Sequence, residues 1–254
     1  MARIVVFDSG LGSLSVIKAI QKICKSEIIY FADQQNFPYG EKSQAQLSKI
    51  IRNSIKLLQE KFSPDVIVVA SNTPSLMLDM TTKKIVGVKP PLKHARKQSK
   101  TKQVGILSTK SAINSKGLTQ HIKKNNFPES FKIFKINASD LVELVESGKF
   151  VSDKKHCQKI IKNTLDEILS LNNIDTVTLS STHLPFLKSL LKKQYPKINF
   201  VDPADIVAEN VFLKIKNKQS RKNSLKIFAT GDTKTFQTKL NRIGIKNKVS
   251  RLSF

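Results

Sequence analysis

The sequence predicts an α/β protein made of two pseudo-symmetric parallel-sheet domains with the active-site cleft between them. Three observations carry this. Short β-branched runs alternate with amphipathic helical stretches along the chain, the pattern of a parallel sheet flanked by helices. The scheme then repeats: Gln103–Leu107 leading into Ser108-Thr109 matches Arg3–Phe7 leading into Asp8-Ser9 at an offset of 100 residues. Asp65-VIVVA-Ser71 is likewise matched by Asp175-TVTLS-Ser181, and IVGVKP (85–90) by INFVDP (198–203). Small polar residues, finally, follow the strand-like runs, where open parallel sheets place their ligands. The expected division is residues 1–92 with 207–254 in one domain and 93–206 in the other.

Taken in order, RIVVF (3–7) reads as a strand, DSGLGS as a loop and LSVIKAIQKI as a helix. EIIYFA (27–32) is a second strand, followed by a loop containing Phe37-Pro38-Tyr39-Gly40. QAQLSKIIRNSIKLLQEKF is a long amphipathic helix that must stop before Pro64, because proline disfavours helical geometry in the residue ahead of it. DVIVVA (65–70) and KIVGV (84–88) complete the first set of strands, and Pro90-Pro91 breaks the chain there. KIFATGD (226–232) reads as a last strand, with a helical tail expected to pack back on the first half.

Composition narrows the function classes. Hydrophobic residues at 39% and charged residues at 25% fit an ordinary soluble globular chain. No apolar run approaches the roughly 20 residues needed to span a bilayer, and MARIVVFDSG enters a strand without a signal-peptide pattern. A cytoplasmic protein without membrane attachment is expected. Cys24 and Cys157 fall at helical spacing among apolar neighbours, which suits small buried hydrophobes rather than a metal motif or disulfide. The net charge of +25 raises the question of nucleic acid, but only 6 of the 44 basic residues are arginine. The densest stretches, 93–102 and 214–226, come with no zinc-finger or aromatic RNA-binding motif. Lysine lacks the planar fork that reads phosphates and guanines bidentately. Solvated lysine-rich faces are therefore expected over a nucleic-acid site, which the charge alone does not exclude, and small anions would be drawn to the field.

Four loops occupy the ligand-binding end of the predicted sheets: Asp8-Ser9-Gly10, Ser71-Asn72-Thr73, Ser108-Thr109 and Ser181-Thr182-His183. Helix N-termini there would offer free N–H groups and positive dipole ends to anions. Each loop also has a plain reading as a helix cap, since Ser, Thr, Asn and Asp are the preferred capping residues. Gly10-Leu11-Gly12 is part of a dinucleotide fingerprint, but Ser15 stands where its third glycine belongs, and Asp33 is only roughly placed for a ribose. His183 beside two hydroxyls reads equally as a structural histidine or a general acid/base. Glu146 in LVELVESG reads as a helix carboxylate.

Together these stretches resemble the glutamate racemases of the aspartate/glutamate racemase superfamily. IVVFDSGLGSLSV is similar to the family's FDSGxGGLTV, and YFADQQNFPYGEKS to YFGDxxxxPYGxKS. ASNTPS is similar to ACNTAS, SSTHLPFL to GCTHYPLL, LVELVESG to LVExG, and ATGD to the closing TGD. The matches run in order from residue 4 to about residue 236. The resemblance implies a cofactor-independent, metal-free reaction in which two thiols on opposite faces of the substrate Cα remove and return a proton, supplying D-glutamate for peptidoglycan. By position the two bases fall on Ser71 and Ser181, and their assistants on Asp8, Glu146 and His183. Substrate-binding positions fall on Ser9, Pro38, Tyr39, Gly40, Asn72, Thr73 and Thr182. A thiol with a pKa of about 8.5 can become a thiolate in such a loop, whereas a serine hydroxyl needs an adjacent base. Serine at both positions puts the two-thiol reaction in question. The resemblance thus implies a protein binding an acidic, glutamate-like amino acid, with a homodimer as one assembly open to it. The alternative is a non-catalytic sensor or interaction protein on the same scaffold. A Ser181–His183–Glu146 constellation would be hydrolase-like.

Overall fold

The computed structural model describes residues 2–78, 82–218 and 220–253, so Gln219 of the basic stretch 214–226 lies outside them. The chain divides into two compact units, Met1–Val88 with Ala204–Phe254, and Lys89–Pro203.

The first unit begins with β1 (Arg3–Asp8), α1 (Ser13–Ile23), β2 (Glu27–Ala32), α2 (Gln44–Phe62), β3 (Val66–Val69), α3 (Asn72–Met77) and β4 (Ile85–Gly87). Each of β1, β2 and β3 is an almost unbroken apolar run because a parallel sheet is covered on both faces, and β2 and β3 are buried at every position. α2 starts on a reciprocal capping box: Ser43 Oγ accepts from Gln46 N–H, and the Gln46 side chain accepts from Ser43 N–H. It ends at Phe62, with Ser63 in the left-handed region ahead of Pro64. Phe7, Phe31, Leu47, Ile51 and Leu58 pack together between this helix and the sheet.

The second unit holds α4 (Leu92–Gln98), β5 (Gln103–Ser108), α5 (Lys110–Ile113), α6 (Lys116–Lys123), β6 (Lys132–Asn137), α7 (Ser139–Glu146), α8 (Lys149–Ser152), α9 (Lys154–Leu171), β7 (Thr176–Leu179), α10 (Lys188–Gln194) and β8 (Asn199–Val201). The chain then returns to the first unit through α11 (Ala204–Ile215), β9 (Ser224–Ala229), α12 (Thr233–Arg242) and β10 (Val249–Arg251). The tail read as helical therefore also contains a strand.

The sheets run β10-β9-β2-β1-β3-β4 and β6-β5-β7-β8, and every pairing is parallel. The order β2-β1-β3-β4 is repeated as β6-β5-β7-β8, so the duplication read from three short matches is a duplication of topology. Register aligns the strand ends: Asp8 pairs with Ala32, Phe7 with Val69 and Ala32 with Ala229. The residues that follow these strands, Asp33, Ser71 and Thr230, thus emerge with Asp8 at one edge of the first sheet.

Cys24 and Cys157 are both buried and unpaired with each other, and burial raises both thiols above their usual range. The stretch Lys93–Gln98 exposes every residue except Ala95. Among the described residues no helix is long and apolar enough to cross a membrane.

Candidate functional site

The four small-polar loops were open to a plain reading as helix caps, and the structure decides against it. Ser71 stands at the N-cap position of α3, Thr109 at that of α5, Gly12 at that of α1 and His183 ahead of a short 3-10 turn. None of the four closes a side-chain cap. Capping does occur elsewhere, at Ser43, Ser115, Asp153 and Asp232. Thr109 Oγ1 instead meets Ser111 Oγ, inside α5, at 3.3 Å.

In the first unit the carboxyl edge of the sheet carries Asp8, Ser9, Tyr39, Asn72 and Thr73, all buried, with Ser71 half-buried between them. The backbone here is held by side chains from neighbouring strands. Tyr30 Oη donates to the Gly10 carbonyl at 2.6 Å, Gln34 Nε2 donates to the Ser9 carbonyl, and Ser9 N–H donates to Asp8 Oδ1 at 2.7 Å. The turn after β3 is fixed by Ser75, whose Oγ donates to the Ser71 carbonyl at 2.7 Å and accepts from Val88 N–H at 3.0 Å. Gly87 makes room for that hydroxyl, since a Cβ there would come within 2.8 Å of Ser75 Oγ. Pro38 and Gly40 flank Tyr39 in the loop that follows β2, and the Phe37-Pro38 peptide bond is cis. Burial, and then the negative charges of Asp33 and Asp8, push the Tyr39 hydroxyl well above its usual range. Tyr39 and Asp8 therefore share one electrostatic neighbourhood.

Asn72 departs from this pattern of bonding. It is 4% exposed, yet among the described residues neither its amide nitrogen nor its amide oxygen has a hydrogen-bond partner. Leaving a buried polar group unmade costs about 1–3 kcal/mol, so the amide is held here at a cost in stability.

In the second unit Ser181, Thr182, His183 and Glu146 are all buried. Ser108 Oγ donates to the Ser180 carbonyl, which fixes the peptide leading into Ser181, and Ser180 Oγ meets Thr178 Oγ1 at 2.8 Å. His183 Nε2 lies 2.6 Å from Glu146 Oε1, so the two residues 37 apart in sequence form a buried acid–imidazole pair. Glu146 is the last residue of α7, where the negative end of the helix dipole opposes a carboxylate. Gly148, at φ 76°, then turns the chain away. The Ser181–His183–Glu146 constellation is formed only in its second half: among the described residues no hydrogen bond reaches Ser181 Oγ. The same holds for Ser71 Oγ.

No group of three or more His, Cys, Asp or Glu among the described residues could hold a metal ion. A dinucleotide reading of Asp33 fails because its carboxylate is wholly buried among Asn36, Tyr39 and Thr230.

The profile of the family described as Asp/Glu/Hydantoin racemase matches residues 4–211. The chain belongs to that family. Among its relatives, the glutamate racemase of Glaesserella parasuis is 31% identical over 217 residues, covering 82% of this chain and 79% of its own. That of Persephonella marina is 32% identical over 242 residues, covering 91% and 89%. Among solved structures, Escherichia coli glutamate racemase in complex with L-glutamate and the activator UDP-MurNAc-ala superposes with a TM-score of 0.83, at 26% identity over 99% of this chain and 98% of that one.

Within this family fold, eight of the candidate residues lie in the first unit, Pro38, Tyr39 and Gly40 in the loop after β2 and the rest at strand or helix ends, and four lie in the second. What they missed is the supporting shell: Tyr30, Asp33, Gln34, Ser75, Ser108 and Thr230. All but Ser108 lie inside the quoted motifs, yet nothing in those motifs shows what they hold, because their hydrogen-bond partners are brought near only by the fold.

Proposed function

We infer that the protein binds an acidic amino acid of the L-/D-glutamate class with a racemase-type apparatus, and that its two serines leave the two-thiol proton transfer undone. The observation that carries this reading is Asn72, a buried amide with both its donor and its acceptor unspent among the described residues. The relatives named glutamate racemase, and the Escherichia coli enzyme solved with L-glutamate, support the choice of ligand. In this reading Ser9, Pro38, Tyr39, Gly40, Asn72, Thr73 and Thr182 contact the ligand. Ser71 and Ser181 hold the positions of the two bases, assisted by Asp8 and by the His183–Glu146 pair.

A two-base racemisation needs one group to take the Cα proton and another to deliver a proton to the opposite face. A serine does the first only with a base at hydrogen-bond distance from its hydroxyl, and Ser71 Oγ and Ser181 Oγ have no such bond among the described residues. That observation favours ligand binding without turnover, as in a sensor of an acidic amino acid. The test is incubation with L- and D-glutamate in D2O, following Cα deuteration by NMR, with calorimetry in parallel. Binding without deuteration is expected of this chain, and deuteration of both enantiomers after Ser71→Cys with Ser181→Cys. Deuteration by the unaltered chain would overturn the inference about the serines. Absence of binding to either enantiomer would overturn the ligand.

A further inference from the structure

Asp33 is the most completely buried carboxylate of the first unit, at 0% exposure, and the reading above gives it no task. It stands one residue beyond β2. Asn36 Nδ2 donates to both its oxygens, at 3.0 Å and 2.9 Å. Tyr39 Oη donates to Oδ2 at 3.0 Å, and Thr230 Oγ1 to Oδ1 at 3.0 Å. The Thr230 hydroxyl accepts from Gln35 N–H at 3.0 Å, which commits its own proton to Asp33. Every contact on the carboxylate is therefore a donor aimed at an acceptor, and all the donors are neutral. Burial raises the carboxyl above its usual range, and the bonds from Asn36, Tyr39 and Thr230 work against that rise.

One side chain thereby ties together three pieces of chain: the end of β2, the loop 34–40, and the end of β9, which is 197 residues away. That same loop sends Gln34 to the Ser9 carbonyl. We propose that Asp33 is a positioning residue that holds Tyr39-Gly40, and through Gln34 the Asp8-Ser9 turn, in the geometry that receives the acidic amino acid. The proposal rests on the ligand reading above and deepens it. A carboxylate suits the task where an amide does not. Two oxygens with four lone-pair sites take the four hydrogen bonds of three donor groups, whereas the amide nitrogen introduced by Asp33→Asn would face the hydrogens of its neighbours. Burying a carboxylate among neutral donors, with Lys42 acting on it only through its charge, is costly, and a purely structural tie could be made by neutral groups.

The test uses the full chain with Asp33→Asn, Tyr39→Phe and the double variant, read by calorimetry with D-glutamate and by amide hydrogen exchange. Asp33→Asn should weaken D-glutamate binding at least tenfold and speed exchange in residues 34–41 and 230–231, while β1 and β5 keep their protection. The double variant should bind no worse than the weaker single variant, because both changes cut one connection. Unchanged affinity in Asp33→Asn, or additive losses, would overturn the proposal. Should Asp33→Asn fail to fold, Thr230→Val and Tyr39→Phe carry the same expectations in milder form. If the unaltered chain binds no glutamate, the ligand reading fails on its own, and the exchange arm alone decides: unchanged protection in 34–41 would overturn the positioning role.

Discussion

The two units repeat one sheet order, and each ends its third motif strand on a serine, yet they treat the polar groups that follow in opposite ways. In the first unit Asn72 is buried with donor and acceptor both unmade. In the second, His183 and Glu146 are buried but satisfy one another at 2.6 Å. The anchoring underneath is alike: a serine hydroxyl grips a carbonyl at each turn, Ser75 on Ser71 and Ser108 on Ser180. Duplication has kept the scaffold that aims the turn and let the electrostatics of what is aimed diverge. A polar side chain left unsatisfied is held there at a cost in stability, whereas a satisfied pair contributes to it, and this difference can be measured.

The largest effect belongs to the satisfied pair. Removing one partner of a buried pair costs about 3–5 kcal/mol. Taking an acid away from a helix C-terminus returns about 0.3–1 kcal/mol. Glu146→Ala should therefore lose about 2–4 kcal/mol in urea unfolding, with Glu146→Gln losing less because the amide can still meet the imidazole. If Glu146→Ala is as stable as the parent, the pair is no polar counterweight to Asn72.

Next come the two anchors. Ser75→Ala strands Val88 N–H and leaves the Ser71 carbonyl with the Ser75 N–H alone, and Ser108→Ala removes the hydroxyl that the Ser180 carbonyl accepts from, each at about 1–3 kcal/mol. Gly87→Ala should cost a similar amount through the 2.8 Å approach to Ser75 Oγ. Its cost should shrink in a Ser75→Gly background, which thermal unfolding of the four members of that cycle would read. Additive costs would place the clash elsewhere.

Asn72 should show the opposite sign. Replacing an unmade buried amide by an apolar group of similar size removes a penalty, so Asn72→Leu should gain about 1–2 kcal/mol in stability while losing glutamate binding in calorimetry. Stability gained together with unchanged binding would remove Asn72 from the site.

How much of this was legible in the sequence follows from what each feature depends on. β1, β2, β3, β5 and β7 could be read because parallel strands buried on both faces leave continuous apolar runs. The pairing of Asp65–Ser71 with Asp175–Ser181 could be read because a duplicated strand keeps its length. β6 could not: KIFKIN is half exposed and alternates lysine with apolar residues. β10 could not, being three residues long at a sheet edge. The candidate site residues were proposed from motifs. Whether Asn72 would be satisfied, and what Asp33 would hold, depended on partners from other strands, one of them 197 residues distant.

The smallest effect tests the duplication itself. Asp65 and Asp175 occupy equivalent strand starts and accept from the neighbouring strand's backbone, Asp65 from Arg3 N–H at 2.9 Å and Asp175 from Thr101 N–H at 2.9 Å. Burial pushes both carboxyls up, but hydrogen bonds outweigh it and leave both below their usual range, with Lys218 and Arg3 acting on Asp65 and Ser99, Thr101 and Lys100 on Asp175. A carboxyl whose folded pKa is depressed contributes stability above its unfolded value of about 3.9, and that contribution is lost as pH falls through the lower folded value. Asp65→Asn and Asp175→Asn should therefore each destabilise near neutral pH by no more than about 1 kcal/mol, since both groups are partly solvated. Their unfolding curves should rejoin the parent's once the pH has fallen through the depressed folded value. Salt separates the two: Asp65 leans on the exposed Lys218 at 2.7 Å and should lose part of its effect at about 1 M salt, whereas Asp175, bonded to two backbone N–H groups and a hydroxyl, should keep its own. Equal salt sensitivity would mean that the two halves use this shared aspartate in the same way after all.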